Sequence, residues 1–456
     1  MKKFLLFFLA IPFYASAQVN ADSIFIKKIA DEILVNGKAY DLLHQLTKNI
    51  GGRLAGSPQF AKAVQWGKTS LQLMGADTVY LQECLVPHWV RGGKDKVEIV
   101  ATGNRKTNIP LDALALGNSM GSGGKTITAQ VIAVSNFAEL EKRKDEIKGK
   151  IVYYNYAFNP TYITPSKAYG ETGTYRRNGP SRAAKYGAVA VLIRSLTEAT
   201  DNNPHTGAMA YNDSFPKIPA AALGSMDADK VWKLAQASNL TISLSTNGHF
   251  LPDTIGHNVI AELRGTEFPD EYITVGGHLD SWDVNEGAHD DGAGVVHTIE
   301  VMRALKALGY HPKHSIRFVL FANEENGLRG GEKYAAVAKA KNEKHIFALE
   351  SDEGGFTPRG FGFTMNTTQL QKVQTWLPLL KPYGTADLSN GGGGADIGPL
   401  GTNLKTPLAG LAPDNQRYFD IHHARSDVFE AVNKRELLLG AVNMAGLIYL
   451  IDKYGL

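Results

Sequence analysis

From His257 onward, short continuous apolar runs alternate with stretches whose apolar positions recur at helical spacing. YITVGGHLDS, SIRFVLFANEE and HIFALESDEG are runs of the first kind, and the segment from Val295 to Leu308 is one of the second. Continuous apolar strands are buried on both faces, and strands joined through helices lie parallel. The pattern predicts an α/β domain with a largely parallel central sheet, helices on both faces and ligands gathered beyond the carboxyl ends of its strands. All three runs deliver acidic or histidine residues at that end.

The rest of the chain is patterned differently. Two short helical patterns, about Asp22 to Val35 and Lys38 to Ile50, lead into GGRLAGSP and a third helix from about Pro58 to Met74, with Pro at its first turn. Strand-like runs follow at Val79–Val86 and Val97–Ala101. The glycine-rich LALGNSMGSGG then gives way to short strands (KIVYY, AVAVLI, LTISLST) mixed with short helices. This reads as a mostly β module inserted at 106–251, leaving 18–105 and 252–456 as one discontinuous domain. The last helical run, Arg435 to Tyr454, holds an apolar stretch of only about 15 residues, too short to span a bilayer. With Asn443 inside it and Asp452-Lys453 at its end, it predicts a docked surface helix. The Gly391–Gly394 run reads as a flexible connector.

Residues 1–17 have a basic start, an apolar run from Phe4 to Ile11 and the small triplet Ala15-Ser16-Ala17, the pattern of a secretory signal peptide cleaved after Ala17. The expectation is a secreted or periplasmic protein with no membrane span in the mature chain. The formal net charge of +3 includes Lys2 and Lys3 of that leader, so nothing favours nucleic acid or an anionic membrane as partner. A single cysteine, Cys84, excludes an intramolecular disulfide, and the alternation of TVYLQECLV makes it a half-buried strand residue.

The chemistry lies in GGHLDSWDVNEGAHDDGAG, in Glu324-Glu325, in ESDEG and in His422-His423. Zinc takes imidazole nitrogen and carboxylate oxygen, and this ordered series offers both without a thiolate pair. His278 ends a strand, and Asp280, two residues on, is expected to accept the second imidazole N–H and orient the ring. Asp290 opens the DDGAG turn, where a carboxylate can bridge two cations as an imidazole cannot. Glu324 and Glu325 follow a strand and face opposite ways, which suits one for metal and the other for proton transfer. Asp352 and the histidine pair complete three ligands per ion if Asp290 is shared. Six such features in order at strand ends are strong where each alone is weak.

The chain resembles the co-catalytic di-zinc aminopeptidase family. The likeness covers nearly the whole mature chain: GGRLAGSP, PHW-x-RG at Pro87, LALGNSMG, GKIVYYN, PHTG at Pro204, KIPAAAL, GHLDSWD, DDGAG, EEN-G and ESDEG. It implies two zinc ions, one bound by His278, Asp290 and Asp352 and the other by Asp290, Glu325 and His423, with Glu324 as general base. His423 rather than His422 is implied because the family places this ligand four residues before an Asp, here Asp427. The motif H-A-R-S-D-V departs from the family's H-S/T-x-x-D-T in the loop around that ligand. The resemblance further implies an exopeptidase for unblocked dipeptides and short peptides, assembled as a homodimer. In it a water between the ions attacks the peptide carbonyl, and one zinc holds the free α-amine. The inserted module resembles a protease-associated domain whose PHTG helps close the pocket. Candidate substrate contacts are His205, Trp282, Asp396 and His422.

Three other readings compete. An aminoacylase-like zinc carboxypeptidase shares the ligand order, but its extra domain lies between the last Asp and the last His, and here Asp352 and His423 are too close to enclose one. A non-catalytic binding protein on the same scaffold would have lost ligands that this chain keeps. Glutaminyl cyclase chemistry would use a single zinc.

Overall fold

The computed structural model describes the backbone of residues 11–456 and side chains from residue 21 onward. The expected leader lies outside the described residues, apart from backbone of 11–17 at the start of the helix Ile11–Asn36. The described strands form two eight-stranded sheets.

The first sheet runs in the order Thr78–Val90, His249–Leu263, His314–Phe321, Phe268–His278, Lys344–Glu350, Leu408–Pro413, Pro358–Thr364, Asp387–Asn390. Its centre is parallel: Phe268–His278 lies between His314–Phe321 and Lys344–Glu350, and Lys344–Glu350 is parallel to Leu408–Pro413. Antiparallel pairs flank this centre. Alternate residues of one strand face opposite layers. Phe318 and Leu320 join the large core with the helices Ile11–Asn36, Ala293–Ala307 and Lys434–Tyr454, whereas Val319 and Phe321 join a smaller core with Tyr334 and Ala335 of the helix Arg329–Ala340. Register places His278 beside Phe321, and Gly276 beside Glu350, so the three strands finish together.

The helix Lys434–Tyr454 is, among the described residues, the one helix long and apolar enough to span a membrane by length and composition. It is buried on almost every face, from Leu437 to Asp452, which corrects the expected surface helix. Its polar residues are satisfied inside: Asn443 donates to the carbonyls of Tyr383 and Leu439 at 2.9 and 2.8 Å. Asp452 accepts the N–H groups of Lys313 and His314. A buried amide so paired carries little of the desolvation cost of an orphaned one.

The second sheet is built between Lys96 and Ser245, in the order Arg105–Leu111, Lys96–Thr102, Leu240–Ser245, Ile127–Val134, Ile151–Tyr154, Ala190–Arg194, Ala220–Leu223, Ala113–Ala115. The helices Pro165–Ala184 and Ser225–Ala237 pack on it through Ala168 and Ala183, and through Ala228 and Val231. A division at 105/106 would cut the hairpin of Lys96–Thr102 with Arg105–Leu111, and one at 251/252 would cut the strand His249–Leu263. Both differences arise from long-range pairing that a local apolar pattern does not carry. One apolar cluster of this second unit takes in Phe356, Tyr418 and Phe419 from the first, so the units meet at the end of the parallel strands.

Candidate metal centre

The site starts at the end of the strand Phe268–His278. His278 is fully buried; its Nδ1 lies 3.0 Å from the backbone carbonyl of Asp280, and donating there leaves Nε2 free as an acceptor. This corrects the expected role of Asp280, whose carboxylate stands 3.8 Å from that nitrogen. Instead Asp280 accepts the backbone N–H groups of Glu324 and Glu325, at 3.0 and 3.3 Å, and fixes the turn that carries both.

The DDGAG turn closes against the same strand end. Asp291 accepts the N–H of His278 and of Gly294, each at 2.9 Å. A Cβ on Gly277 would sit 2.5 Å from the Asp291 carboxylate, so a side chain there would push the turn away. Asp427 accepts the N–H groups of His289 and Asp290 at 2.7 and 3.1 Å and thereby holds the backbone from which Asp290 projects.

Asp290 joins two groups of side chains. One of its oxygens is 3.2 Å from His278 Nε2, and that nitrogen is 3.1 Å from Asp352 Oδ1. Its other oxygen is 3.2 Å from His423 Nε2, and that nitrogen is 3.1 Å from Glu325 Oε2. Donors held about 2.0–2.2 Å from a tetrahedral zinc lie a little over 3 Å from each other, so both groups have the spacing of metal ligands. The chemistry fits as well: Asp290 Oδ2 is buried with no hydrogen-bond donor, and carboxylates this deep need cations nearby. Burial raises the carboxyls of Glu325 and Asp352, with Asp290 adding to both, while His278 and His423 hold Asp290 low against its own burial.

Glu324 and Glu325 lie on the turn after the strand His314–Phe321 and diverge there. Glu325 spends Oε1 on the N–H of Trp282 at 3.1 Å and turns Oε2 to His423. Glu324 lines the cleft, where burial pushes its carboxyl up to about 8, with His278 opposing and Asp352 and Asp290 adding. His422 also reaches Asp290, at 3.4 Å, and its ring stacks on His423 with centroids 3.6 Å apart. Of the two, His423 is the one that also meets Glu325.

The remaining candidates are placed unequally. His422 lines the cleft. His205 does not: it is buried, with Nδ1 2.7 Å from the carbonyl of His422, while Thr206 N–H donates to the carbonyl of His423 at 3.0 Å. Burial lowers His205 to about 4, so it is neutral and donates through Nδ1. PHTG thus grips the histidine loop from behind, and His205 is not a substrate contact. Trp282 is fully buried behind His423, its ring so close to Gly117 that a Cβ there would lie 1.8 Å away, and it too is off the cleft wall. Its neighbour Asp283 is taken by Arg91 in two bonds of 2.8 Å. Asp396 is fully buried beside Glu350, and its N–H donates to that side chain at 3.4 Å. The loop before it packs Gly394 against Glu350 and Gly392 against Gly362, so these glycines permit close approach.

Two features escaped the sequence reading. Arg53, in GGRLAGSP, is fully buried and donates to the carbonyls of Leu279, Glu286 and Gly287 at 2.5, 2.8 and 3.0 Å, bracing the loop between His278 and Asp290. The helix Pro165–Ala184 places Tyr169, Arg176 and Arg177 in the cleft, which has a volume of about 710 Å³. The helix carries no quoted motif, and Arg53 stood inside one without a role.

An α/β sheet whose strand ends converge on imidazole and carboxylate donors at metal-ligand spacing has the layout of a metallopeptidase. The chain belongs to peptidase family M28: the family profile matches residues 258–447, and carboxypeptidase Q of Homo sapiens is 34% identical over 431 residues, 93% of this chain and 88% of the relative. Among solved structures, a peptidase M28 precursor from Shewanella amazonensis SB2B superposes with a TM-score of 0.90 at 32% identity, covering 95% of this chain and 97% of that one. A zinc aminopeptidase from Bacillus subtilis shares the fold, with a TM-score of 0.63 at 18% identity over 90% of this chain and 93% of its own. Within the family the likeness is to carboxypeptidase Q.

Proposed function

We propose that this chain is an exported di-zinc exopeptidase that hydrolyses unblocked dipeptides and short peptides with a free N-terminus. The observation that carries the reading is the Asp290 carboxylate, with one oxygen turned to His278 and the other to His423. One zinc would be held by His278, Asp290 and Asp352, the other by Asp290, Glu325 and His423. When bound, a zinc pair supplies Lewis acidity toward water and a peptide carbonyl.

The chain's own groups divide the remaining work. Glu324 accepts a proton from the attacking water and delivers it to the departing amine. Asp280 holds the backbone of Glu324 and Glu325, so the two carboxyls cannot exchange places. Asp427 and Asp291 hold the turn that presents Asp290. The grip of His205 and Thr206 on the histidine loop links the second unit to the metal centre, so that the cleft is assembled from both.

A free α-amine at this centre makes a contact that an acetyl group would abolish, and sites built around a polar contact reject analogues lacking it by large factors. The expected result is hydrolysis of unblocked dipeptides, little activity on their N-acetylated forms and falling rates as peptides lengthen. Efficient cleavage of an N-acetylated peptide would replace this reading with the aminoacylase-like one. Assembly is proposed to be homodimeric: sedimentation of the mature protein at micromolar concentration is expected to give about twice the chain mass. A clean monomer would refute it.

A further inference from the structure

Two arginines line the cleft and, among the described residues, pair with none of the carboxylates of Asp290, Glu324, Glu325, Asp352 and Glu353 that line it too. Arg176 is 5% exposed, and its hydrogen bonds go to neutral groups: Nη2 donates to the Tyr169 hydroxyl at 2.6 Å, and Nη1 lies 3.5 Å from the carbonyl of Thr206 and 3.4 Å from His423 Nδ1. Its Nε is buried with no partner. Arg177, next along the helix, is exposed in the same cleft, and among the described residues neither guanidinium is paired with a carboxylate. Arg53 and Arg91 near the site have settled acceptors, Arg53 on four carbonyls and Arg91 on Asp283. A guanidinium taken out of water without an anion is costly, and Arg176 is so placed, whereas Arg177 keeps its water. An anionic group on the molecule that fills the cleft would offset that cost.

Position decides which anion. Arg176 lies against the Nδ1 side of His423, whereas Nε2 of the same ring faces Asp290 and Glu325. A peptide whose scissile carbonyl sits at the metal side therefore has only the width of an imidazole between that carbonyl and Arg176, and Arg177 is the next residue of the helix on the same cleft wall. One peptide unit spans about 3.8 Å, so the residue directly after the scissile bond brings its α-carboxylate to this distance and a longer peptide does not. Carboxylate is also the group that a guanidinium fork binds with two parallel, charge-assisted bonds.

We propose that Arg176 and Arg177 together hold the α-carboxylate of the substrate's C-terminal residue, so that the cleft measures a dipeptide by charge at its far end. The proposal rests on the exopeptidase reading above and adds the residues that set substrate length. The helix that carries them belongs to the second unit, which makes that unit a specificity element of the site.

The test compares Ala-Leu with Ala-leucinamide, both with free N-termini, on the zinc-loaded protein. The unaltered protein is expected to prefer the free acid by roughly 10²-fold in kcat/KM, the scale of losing one partner of a close charge pair, chiefly through KM. In Arg177→Met that ratio is expected to fall toward one, with Arg177→Lys in between and zinc content constant. Calorimetric binding of leucine against leucinamide reads the same contact without turnover, and Arg177→Met is expected to erase the preference for leucine. Arg176→Gln is read the same way, with zinc content as the control for its contact to His423. Equal use of acid and amide by the unaltered protein, or a ratio that survives in both variants, overturns the carboxylate site while leaving the exopeptidase reading standing. If neither peptide is cleaved but leucine still binds in preference to leucinamide and loses that preference in Arg177→Met, the exopeptidase reading falls and the carboxylate site stands.

Discussion

Glu324→Gln is expected to lower kcat by roughly 10²–10⁴ with zinc content unchanged, the range for loss of a positioned general base. The side chain lines the cleft, makes no hydrogen bond among the described residues and sits on a turn held by Asp280. Glutamine has nearly the same shape and can still accept a hydrogen bond, but it cannot carry a proton between water and amine. Because Glu325 is the member of the pair that faces His423, the substitution leaves that group of donors intact. Kinetics and metal analysis on one preparation decide the matter. Loss of zinc together with activity would make Glu324 a ligand and exchange the roles of the two glutamates.

Asp290→Ala is expected to remove both ions and reduce activity to background, a larger effect than any other single ligand should give. Each donor group consists of Asp290 and two further side chains, so without it each retains an imidazole and one carboxylate. Structural and catalytic zinc sites ordinarily use at least three protein ligands, and a two-ligand remnant competes poorly for metal. Asp352→Ala is the control, because it removes a donor from the His278 group alone and should spare the ion on the other side. Two tightly retained zinc ions in the Asp290 variant would take the bridge out of the site.

Much of this centre was legible before any fold was known, for an identifiable reason. His278, Asp290, Glu324, Glu325 and Asp352 each stand at the end of an apolar run or at the turn after it, and parallel strands deliver their C-terminal residues to one edge. Strand alternation predicted that the two glutamates diverge; they do so on the turn after the strand, held by the bonds of Glu325 to Trp282 and of the turn to Asp280. The family likeness supplied the choice between His422 and His423, which spacing left open.

What the chain alone could not disclose depends on contacts between distant segments. Asp280 was placed by strand alternation, but the backbone bends after His278, and its carboxylate turned to a segment 44 residues away. His205 was read as a pocket residue because its motif is compact; its partner, the carbonyl of His422, is 217 residues on. Arg53 braces a loop more than 220 residues away through carbonyl oxygens, which every residue carries and no side-chain pattern marks. Arg176 and Arg177 sit in a helix with three glycines and an internal Pro180, whose direction toward the cleft follows from packing on the second sheet. Burial on all sides of Lys434–Tyr454 likewise required the helices that surround it. The sequence by itself determined which residues could bind metal and at which end of the sheet, since strand periodicity and donor chemistry are local. Tertiary structure decided which carboxylate serves which partner and which charges meet the substrate, because those choices belong to pairs of segments that only folding brings together.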